Sequence, residues 1–310
     1  MITVLKNAAD IKDANGEIRA GGTDLHDRYR LGVSEGPIID IHKLNFGGIE
    51  TLKNGSLKIG ANVTIDEVGQ SPVVQTGYGA LAKAANGLAT PQIRWAASLG
   101  GSLLQKTRCA YFRHPDLQCT KKGDAACGGR EGIHANGVIF DNGGCAHPHP
   151  STLATALLAY DATLVTTDRE IPVADLYGDG SIHDRDHLLN TNEILTHVIL
   201  PPAVDGEKTA YFRSISRFEA EWPIVECSVR LVIVNDHITA AGIGVGGVAN
   251  VPIRLEAVET VLIGQKANPE TLQKSAQVAS EGAMPLPQSA WKVDVMENTL
   301  LHTLELALAE

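Results

Sequence analysis

The opening of the chain alternates short apolar runs with turn residues, a pattern that predicts short strands. A strand from Ile18 to Ala20 precedes the pair Gly21-Gly22, and a helix-like run follows that pair. The segments "GPIIDIHKL" and "GSLKIGANVTIDEV" predict further strands, which Gly and Asn interrupt. From Gly77 to Leu88 the chain is rich in Ala at helical spacing, which predicts a helix.

The middle of the chain predicts a second glycine pair and a capped helix. The segment "IRWAASLGGSLLQ" ends in Gly100-Gly101. After a long loop-like stretch, "STLATALLAYDATLVT" predicts a helix from Ser151 to Tyr160 that runs into a strand. Ser151 is the expected N-cap, because a hydroxyl there can accept a hydrogen bond from a free amide of the first helical turn.

The pattern changes after Pro201-Pro202, which marks a domain boundary. The segment "VECSVRLVIVNDHITAAGIGVGGVA" predicts two antiparallel strands joined at Asn235-Asp236. Cys227 is expected on the apolar face of the first strand, because side chains alternate along a strand, and that face also carries Val229, Leu231 and Ile233. From Arg254 onward, apolar residues at three- and four-residue spacing predict a mostly helical tail.

Composition and charge narrow the class of protein. The chain has 310 residues, and a hydrophobic content of 44% with 20% charged residues is typical of a globular protein of two or three subdomains. The net charge of −10, without a long basic run, argues against a nucleic-acid partner. There is no apolar run of about 20 residues, the length of a membrane span. "MITVLKNAAD" lacks the features of a signal peptide, so the default expectation is a cytoplasmic protein.

The two glycine pairs, each predicted to follow a strand, are candidates for binding a diphosphate. In "AGGTDL" and in "SLGGSL", missing side chains would let backbone N–H groups approach an anion, and Thr23 adds a hydroxyl donor. Two such loops could hold a diphosphate from both sides. Each pair could equally be a tight turn. The chain lacks a G-x-G-x-x-G segment, so a Rossmann dinucleotide site has no fingerprint here.

Four of the five cysteines lie in one segment, and they are Cys109, Cys119, Cys127 and Cys145. A reducing compartment makes disulfides improbable, and thiolates suit zinc or an iron–sulfur cluster. The spacing fits neither zinc ribbons nor bacterial ferredoxins, so the residues alone leave zinc, iron–sulfur and unligated thiols open. Histidines of the same segment could complete a zinc site, namely His114, His134, His147 and His149. Cys227 is expected to be a core residue.

Together these segments resemble one family. "AGGTDL", "ASLGGSLLQ", "HPSTLATALLAYDA" and "EILTHVILPP" follow one another as in the FAD-binding subunit of molybdenum hydroxylases, the xanthine dehydrogenase and carbon monoxide dehydrogenase group. The insertion that begins "LLQKTRCAYFR" and closes "CAHPHPS" is similar to that of bacterial three-subunit aldehyde oxidoreductases. A related insertion occurs in 4-hydroxybenzoyl-CoA reductase. The insertions of both enzymes bind a [4Fe–4S] cluster, and the resemblance implies such a cluster in this chain.

The resemblance also implies the cofactor-binding residues. FAD contacts are expected in the first loop at Ala20, Gly21, Gly22, Thr23, Asp24 and Leu25, and in the second at Ser98, Gly101 and Ser102. Thr152 and Arg213 are expected near the flavin, and the four cysteines of the insertion are the expected cluster ligands. Two positions depart from the family pattern: Ser102 replaces an Asn, and Thr152 replaces an Asp.

The implied fold is α+β. It has FAD-binding subdomains at residues 1–52 and 53–202, the latter with the insertion at about 106–150, and a C-terminal antiparallel sheet with helices at 203–310. The implied function is electron transfer between a [2Fe–2S] small subunit and an external acceptor. A molybdopterin-binding large subunit would oxidise the substrate. The resemblance to aldehyde oxidoreductases implies that this substrate is an aldehyde. The alternatives are a subunit of a 4-hydroxybenzoyl-CoA reductase-like enzyme, a stand-alone flavin reductase, and a zinc-stabilised binding module.

Overall fold

A computed structural model describes residues 1–309, which fold into mixed helices and sheets. The chain builds three sheets in sequence order. The first is small and parallel, with strand order β1-β3-β2. Its strands are β1 (Ile2–Val4), β2 (Glu17–Arg19) and β3 (Ile38–Asp40).

The second sheet is antiparallel, with strand order β4-β5-β8-β6-β7. Its strands are β4 (Ile49–Thr51), β5 (Leu57–Gly60), β6 (Thr163–Thr166), β7 (Glu170–Pro172) and β8 (Leu195–Leu200). Since Ile49 already pairs with Ile59, the second sheet begins before residue 53, where the sequence suggested a boundary.

The third sheet is antiparallel and belongs to the C-terminal domain, as the sequence predicted. In order β12-β11-β10-β9, its strands are β9 (Lys208–Ser214), β10 (Val225–Val234), β11 (His237–Gly246) and β12 (Ile253–Arg254). The predicted turn at Asn235-Asp236 is confirmed, with positive φ at both residues. Cys227 lies on the buried face, but a bulge after Val232 disturbs the alternation before it reaches Ile233.

Helices surround these sheets. They are α1 (Leu25–Arg30), α2 (Ile65–Gln70), α3 (Pro72–Gly77), α4 (Gly79–Gly87), α5 (Pro91–Ala96), α6 (Leu99–Leu103), α7 (Gly128–Glu131), α8 (Thr152–Ala159), α9 (Glu256–Leu262), α10 (Pro269–Val278) and α11 (Lys292–Ala309). The predicted cap of α8 is confirmed, because the Ser151 side chain accepts from the amide of Ala154. The whole of α8 is buried between the second and third sheets.

Two local predictions were wrong. The end of "GSLKIGANVTIDEV" is helix α2 rather than strand, because Thr64 and Glu67 form a reciprocal capping box that nucleates a helix there. The second glycine pair, Gly100-Gly101, does not follow a strand; it lies inside the short helix α6.

The end of the insertion packs on the C-terminal domain. Near its end, the amides of Ile139 and Phe140 both donate to the carbonyl of Val248, and Ile139 joins the C-terminal core. The buried ammonium of Lys292, at the start of α11, donates to the carbonyls of Gly137 and Gly247. The last part of the insertion is therefore fastened to the C-terminal domain.

Within the described chain, none of the helices combines the length and the apolar character that a membrane crossing requires.

Candidate functional site

A cavity of about 600 Å³ opens where the first subdomain, the second subdomain and the C-terminal domain meet. A volume of this size suits a cofactor or other large ligand. Nine residues singled out from the sequence line it together, and they are Ala20, Gly21, Gly22, Thr23, Asp24, Leu25, Ser98, Gly101 and Ser102. The two glycine loops, about 80 residues apart in sequence, therefore form one site.

The first glycine loop approaches the second subdomain more closely than a side chain would permit. A Cβ on Gly21 would lie 1.7 Å from the carbonyl oxygen of Ala96. Gly22 has a φ of +74°, a conformation that only glycine adopts readily, and from there the chain enters α1. The lack of a side chain at Gly21 is therefore required for the close contact between the first glycine loop and the end of α5.

The second glycine loop is held by backbone bonds and by a side-chain cap. The hydroxyl of Ser98 accepts from the amide of Gly101 at 3.1 Å, and the amide of Gly100 donates to the carbonyl of Ala61 at 2.9 Å. Ser102 faces the cavity, and its buried hydroxyl has no hydrogen-bond partner among residues 1–309. A buried polar atom without a partner is costly, so this hydroxyl fits a site whose ligand accepts or donates there.

Asp24 joins the first glycine loop to the insertion. Its carboxylate lies 2.5 Å from Arg113 and 3.2 Å from Arg108, both in the insertion, and 3.1 Å from Arg28 of α1. Burial would raise the pKa of Asp24, but the charges of Arg108 and Arg113 outweigh it and hold the pKa below its usual value. The carboxylate is therefore an ionised anchor for the arginines.

Arg108 and Trp222 were missed by the sequence analysis, although both line the cavity. The guanidinium of Arg108 stacks on the ring of Trp222, 4.7 Å from its centroid, and this contact links the insertion to the C-terminal domain. The side-chain Nε of Arg108 is buried and has no hydrogen-bond partner in the described chain. Only the position of Arg108 beside Cys109 could have drawn attention to it.

Thr152 and Arg213 lie outside the described lining of the cavity. Thr152 is buried at the start of α8 and hydrogen-bonds to Glu226, which also accepts from the Tyr211 hydroxyl at 2.7 Å. Burial raises the pKa of Glu226 to about 7. Arg213 lies opposite Glu226 in the sheet and donates to the carbonyl of Glu219. Contacts of Thr152 and Arg213 with a flavin stay predictions.

All five cysteines are free thiols. Of the four cysteines in the insertion, three are buried and Cys127 is partly exposed. Burial raises the pKa of Cys109, Cys119 and Cys145, in the last case to about 12, and the charge of neighbouring thiolates adds to each shift. The thiols therefore lie within electrostatic range of one another.

The His, Cys, Asp and Glu side chains of the described residues form no site for a single metal ion. Across residues 1–309, no three or more His, Cys, Asp or Glu side chains are grouped so that they could hold one metal ion. Burial lowers the pKa of His147 and of His149 to about 4, so both rings are neutral. The Nδ1 of His147 faces the carbonyl of Pro148 at 3.0 Å instead of completing a ligand set with the cysteines.

Comparison with known proteins identifies one family. A family model described as the FAD-binding domain of molybdopterin dehydrogenases matches residues 3–203, and one for the CO dehydrogenase flavoprotein C-terminal domain matches residues 210–295. The FAD-binding subunit PaoB of aldehyde oxidoreductase from Escherichia coli (strain K12) is 31% identical over 302 residues, which are 94% of this chain and 91% of that protein. The nicotinate dehydrogenase FAD-subunit from Eubacterium barkeri is 22% identical, over 86% of this chain and 78% of that one.

Solved structures show the same fold. Carbon monoxide dehydrogenase from Hydrogenophaga pseudoflava superposes with a TM-score of 0.77 at 20% identity, over 99% of this chain and 96% of that one. Quinoline 2-oxidoreductase from Pseudomonas putida 86 gives a TM-score of 0.74 at 17% identity, over 99% and 96%. The names of the two sequence relatives mention FAD, that of the carbon monoxide dehydrogenase structure mentions the molybdenum cofactor, and none of the four names mentions an iron–sulfur centre. The cluster therefore stays a prediction from the sequence.

Proposed function

This chain belongs to the FAD-binding subunits of the molybdenum hydroxylase family, and we propose that it carries electrons from a [2Fe–2S] partner subunit to an external acceptor during aldehyde oxidation. In this proposal a separate molybdopterin-binding subunit oxidises the aldehyde. The observation that carries the proposal is the single cavity that both glycine loops line, with the buried and unpartnered hydroxyl of Ser102 in its wall. The similarity to an aldehyde oxidoreductase subunit supports the substrate class.

The residues of the cavity have defined tasks toward FAD. The loops at residues 20–25 and 98–102 would hold its diphosphate, with backbone amides and the hydroxyls of Thr23 and Ser102 as donors. Bound FAD supplies the exchange of electrons that amino-acid side chains cannot perform. The protein would orient the FAD, surround it with the walls of the cavity and place fixed charges near it.

The same proposal includes a [4Fe–4S] cluster held by the four thiols of the insertion. The chemistry of the donor set supports it, because four soft thiols of one insertion are free of disulfide bonds and lie within electrostatic range of one another. Backbone amides favour the thiolate form: those of Phe112 and Tyr111 at Cys109, and that of Lys121 at Cys119. A four-iron cluster is wider than one ion, so its ligands stand further apart than those of zinc.

Purification of the complex from its native host tests the proposal. A tag on this chain should bring down a molybdopterin-containing subunit and a [2Fe–2S] subunit, identified by mass spectrometry and metal analysis. Anaerobic addition of an aldehyde should bleach the flavin absorption of this complex and leave that of the isolated chain unchanged. An isolated chain whose flavin is reduced by the aldehyde directly would contradict the subunit role.

Metal analysis of the anaerobically purified chain tests the cluster separately. Iron and acid-labile sulfide should be present in equal amounts. Zinc in place of iron would contradict the cluster.

A further inference from the structure

We infer that Arg108 donates a hydrogen bond to the FAD diphosphate, so that the insertion itself supplies a ligand for the flavin cofactor. The inference rests on the proposed FAD site between the two glycine loops. It concerns a residue that lies outside both loops and that belongs to the insertion.

The position of Arg108 between the two loops carries this inference. Its Nη2 lies 3.2 Å from the Asp24 carboxylate, in the first loop, and donates at 2.9 Å to the side-chain oxygen of Gln105. Gln105 follows the second loop, and its amide donates in turn to the carbonyl of Ser102 at 2.9 Å. The guanidinium therefore stands beside the space that both loops border, where a diphosphate would lie.

The guanidinium is held in place but incompletely bonded. Trp222 covers one face at 4.7 Å, and the Nη2 corner is used by Asp24 and Gln105. The Nε donor is buried and meets no acceptor within residues 1–309. A buried charged donor without an acceptor is unfavourable, and a planar guanidinium suits phosphate oxygens in particular. The side chain is still 21% exposed and lines the cavity, so the rest of the guanidinium can donate to an anionic oxygen there.

The charge of the cavity also suits an anion. Five cationic side chains line it against three carboxylates: Arg19, Arg28, Lys106, Arg108 and Arg185 against Glu17, Asp24 and Glu193. This excess of positive charge occurs in a chain whose net charge is −10. A local field opposite in sign to that of the whole protein favours a dianionic group such as a diphosphate.

Arg113 provides a matched control. It pairs with the same carboxylate as Arg108, since its Nη2 lies 2.5 Å from Asp24, and its side chain is likewise largely buried. It differs in lying outside the described lining of the cavity. Loss of Arg113 therefore disturbs the Asp24 network at least as much as loss of Arg108 does, without removing a residue that lines the cavity.

The test measures FAD affinity by flavin fluorescence, using the deflavinated full chain under anaerobic conditions. Arg108→Gln should weaken FAD binding about ten- to a hundredfold, the usual range for one hydrogen bond to a charged group. Arg113→Gln should weaken it no more than about threefold. Unchanged FAD affinity in Arg108→Gln, or equal losses in both variants, would overturn the inference. A wild-type chain that binds no FAD would contradict the proposed function instead.

ADP separates the diphosphate from the flavin ring, because it carries the former without the latter. In competition with FAD, ADP should lose affinity for Arg108→Gln in the same proportion as FAD does. If ADP binds both proteins equally while FAD binding is weakened, Arg108 contacts the ring and the inference is wrong. Should Arg108→Gln fail to fold, Arg108→Met decides the matter, because it keeps an unbranched apolar side chain beside Trp222 and removes every donor. Wild-type FAD affinity in Arg108→Met would then overturn the inference.

Discussion

The carboxylate of Asp24 lies 2.5 Å from the guanidinium of Arg113. The two residues are far apart in the sequence, because Asp24 lies in the first subdomain and Arg113 lies in the insertion of the second. Asp24 belongs to the first glycine loop, directly before α1, and Arg113 lies four residues after the first cysteine of the insertion. One ion pair therefore joins the two sites proposed for the cofactors. Arg113 extends the link, because it also donates to the backbone carbonyls of Lys106 and Thr107.

Replacing Asp24 should therefore loosen the insertion. Asp24→Asn leaves three arginine side chains close together without their shared anion, and we expect a loss of about 2–4 kcal/mol in the free energy of unfolding. Denaturant unfolding measures this change. Asp27→Asn is the control, since Asp27 is more exposed, and it should cost less than about 1 kcal/mol. Equal effects of the two substitutions would show that Asp24 has no special role.

Glu226 should make the stability of the chain depend on pH. Its pKa is raised from 4.5 to about 7 by burial, so the folded state holds a proton that the unfolded state has already released. Stability is therefore greatest below pH 4.5 at this site and declines as the pH rises to about 7, by about 2–4 kcal/mol in total.

Glu226→Gln removes this dependence while keeping an oxygen that can accept from the Tyr211 hydroxyl. The difference between the wild-type and variant unfolding free energies, measured from pH 4.5 to pH 8, isolates the contribution of Glu226 from other titrating groups. If the difference between the two unfolding free energies stays constant from pH 4.5 to pH 8, Glu226 is already ionised in the folded protein and its pKa is not raised.

The sequence predicted those parts of the site that depend on local backbone geometry. Glycine at Gly21 and Gly22 is required by close approach and by positive φ, and such requirements leave a mark in the sequence itself. The turn at Asn235-Asp236 was predictable for the same reason. Helix α2 was missed even though its capping box, Thr64 with Glu67, is also a local signal.

The contacts that depend on tertiary folding could not be predicted in this way. Arg108 and Trp222 meet only because the insertion and the C-terminal domain close over the same cavity. Neither residue stands in a motif, and an arginine or a tryptophan in a loop has many possible environments. Their partnership depends on the packing of three domains rather than on any local pattern.

Two glycines of the site, Gly101 and Gly21, should respond differently to alanine. At Gly101 a Cβ meets only the Ser98 hydroxyl, at 3.0 Å, and alanine suits a helix better than glycine does. We therefore expect Gly101→Ala to change stability by less than about 1 kcal/mol while lowering FAD occupancy, because the methyl group lies at the cavity wall.

In Gly21→Ala the new Cβ would overlap the carbonyl of Ala96, so the loops must separate and both stability and FAD occupancy should fall. Thermal unfolding and the ratio of flavin to protein absorbance measure the two effects. Full flavin occupancy in both variants would place the FAD outside the glycine loops.

Cys227 should be independent of the proposed iron–sulfur site. Its side chain is 1% exposed, lies between β10 and α11, and hydrogen-bonds to Thr303. Cys227→Ala should leave iron content unchanged and cost about 1 kcal/mol, the small end of the range for truncations in a core. Loss of iron in this variant would mean that the set of cluster ligands is wrongly assigned.

Serine at Cys109, Cys119, Cys127 or Cys145 should lower the iron content and open the first part of the insertion to proteases. That part contains only a small apolar cluster around Phe112, which cannot offset an ordering entropy of about 1–2 kcal/mol per residue, whereas thiolate–iron bonds can. The end of the insertion should resist cleavage, because Ile139 belongs to the C-terminal core. In Cys119→Ser we therefore expect cleavage between residues 109 and 132, mapped by mass spectrometry, with protection of the segment that follows Val138. Unchanged iron stoichiometry in Cys119→Ser would remove that residue from the ligand set, and uniform cleavage up to Pro150 would show that the cluster, not the C-terminal domain, orders the whole insertion.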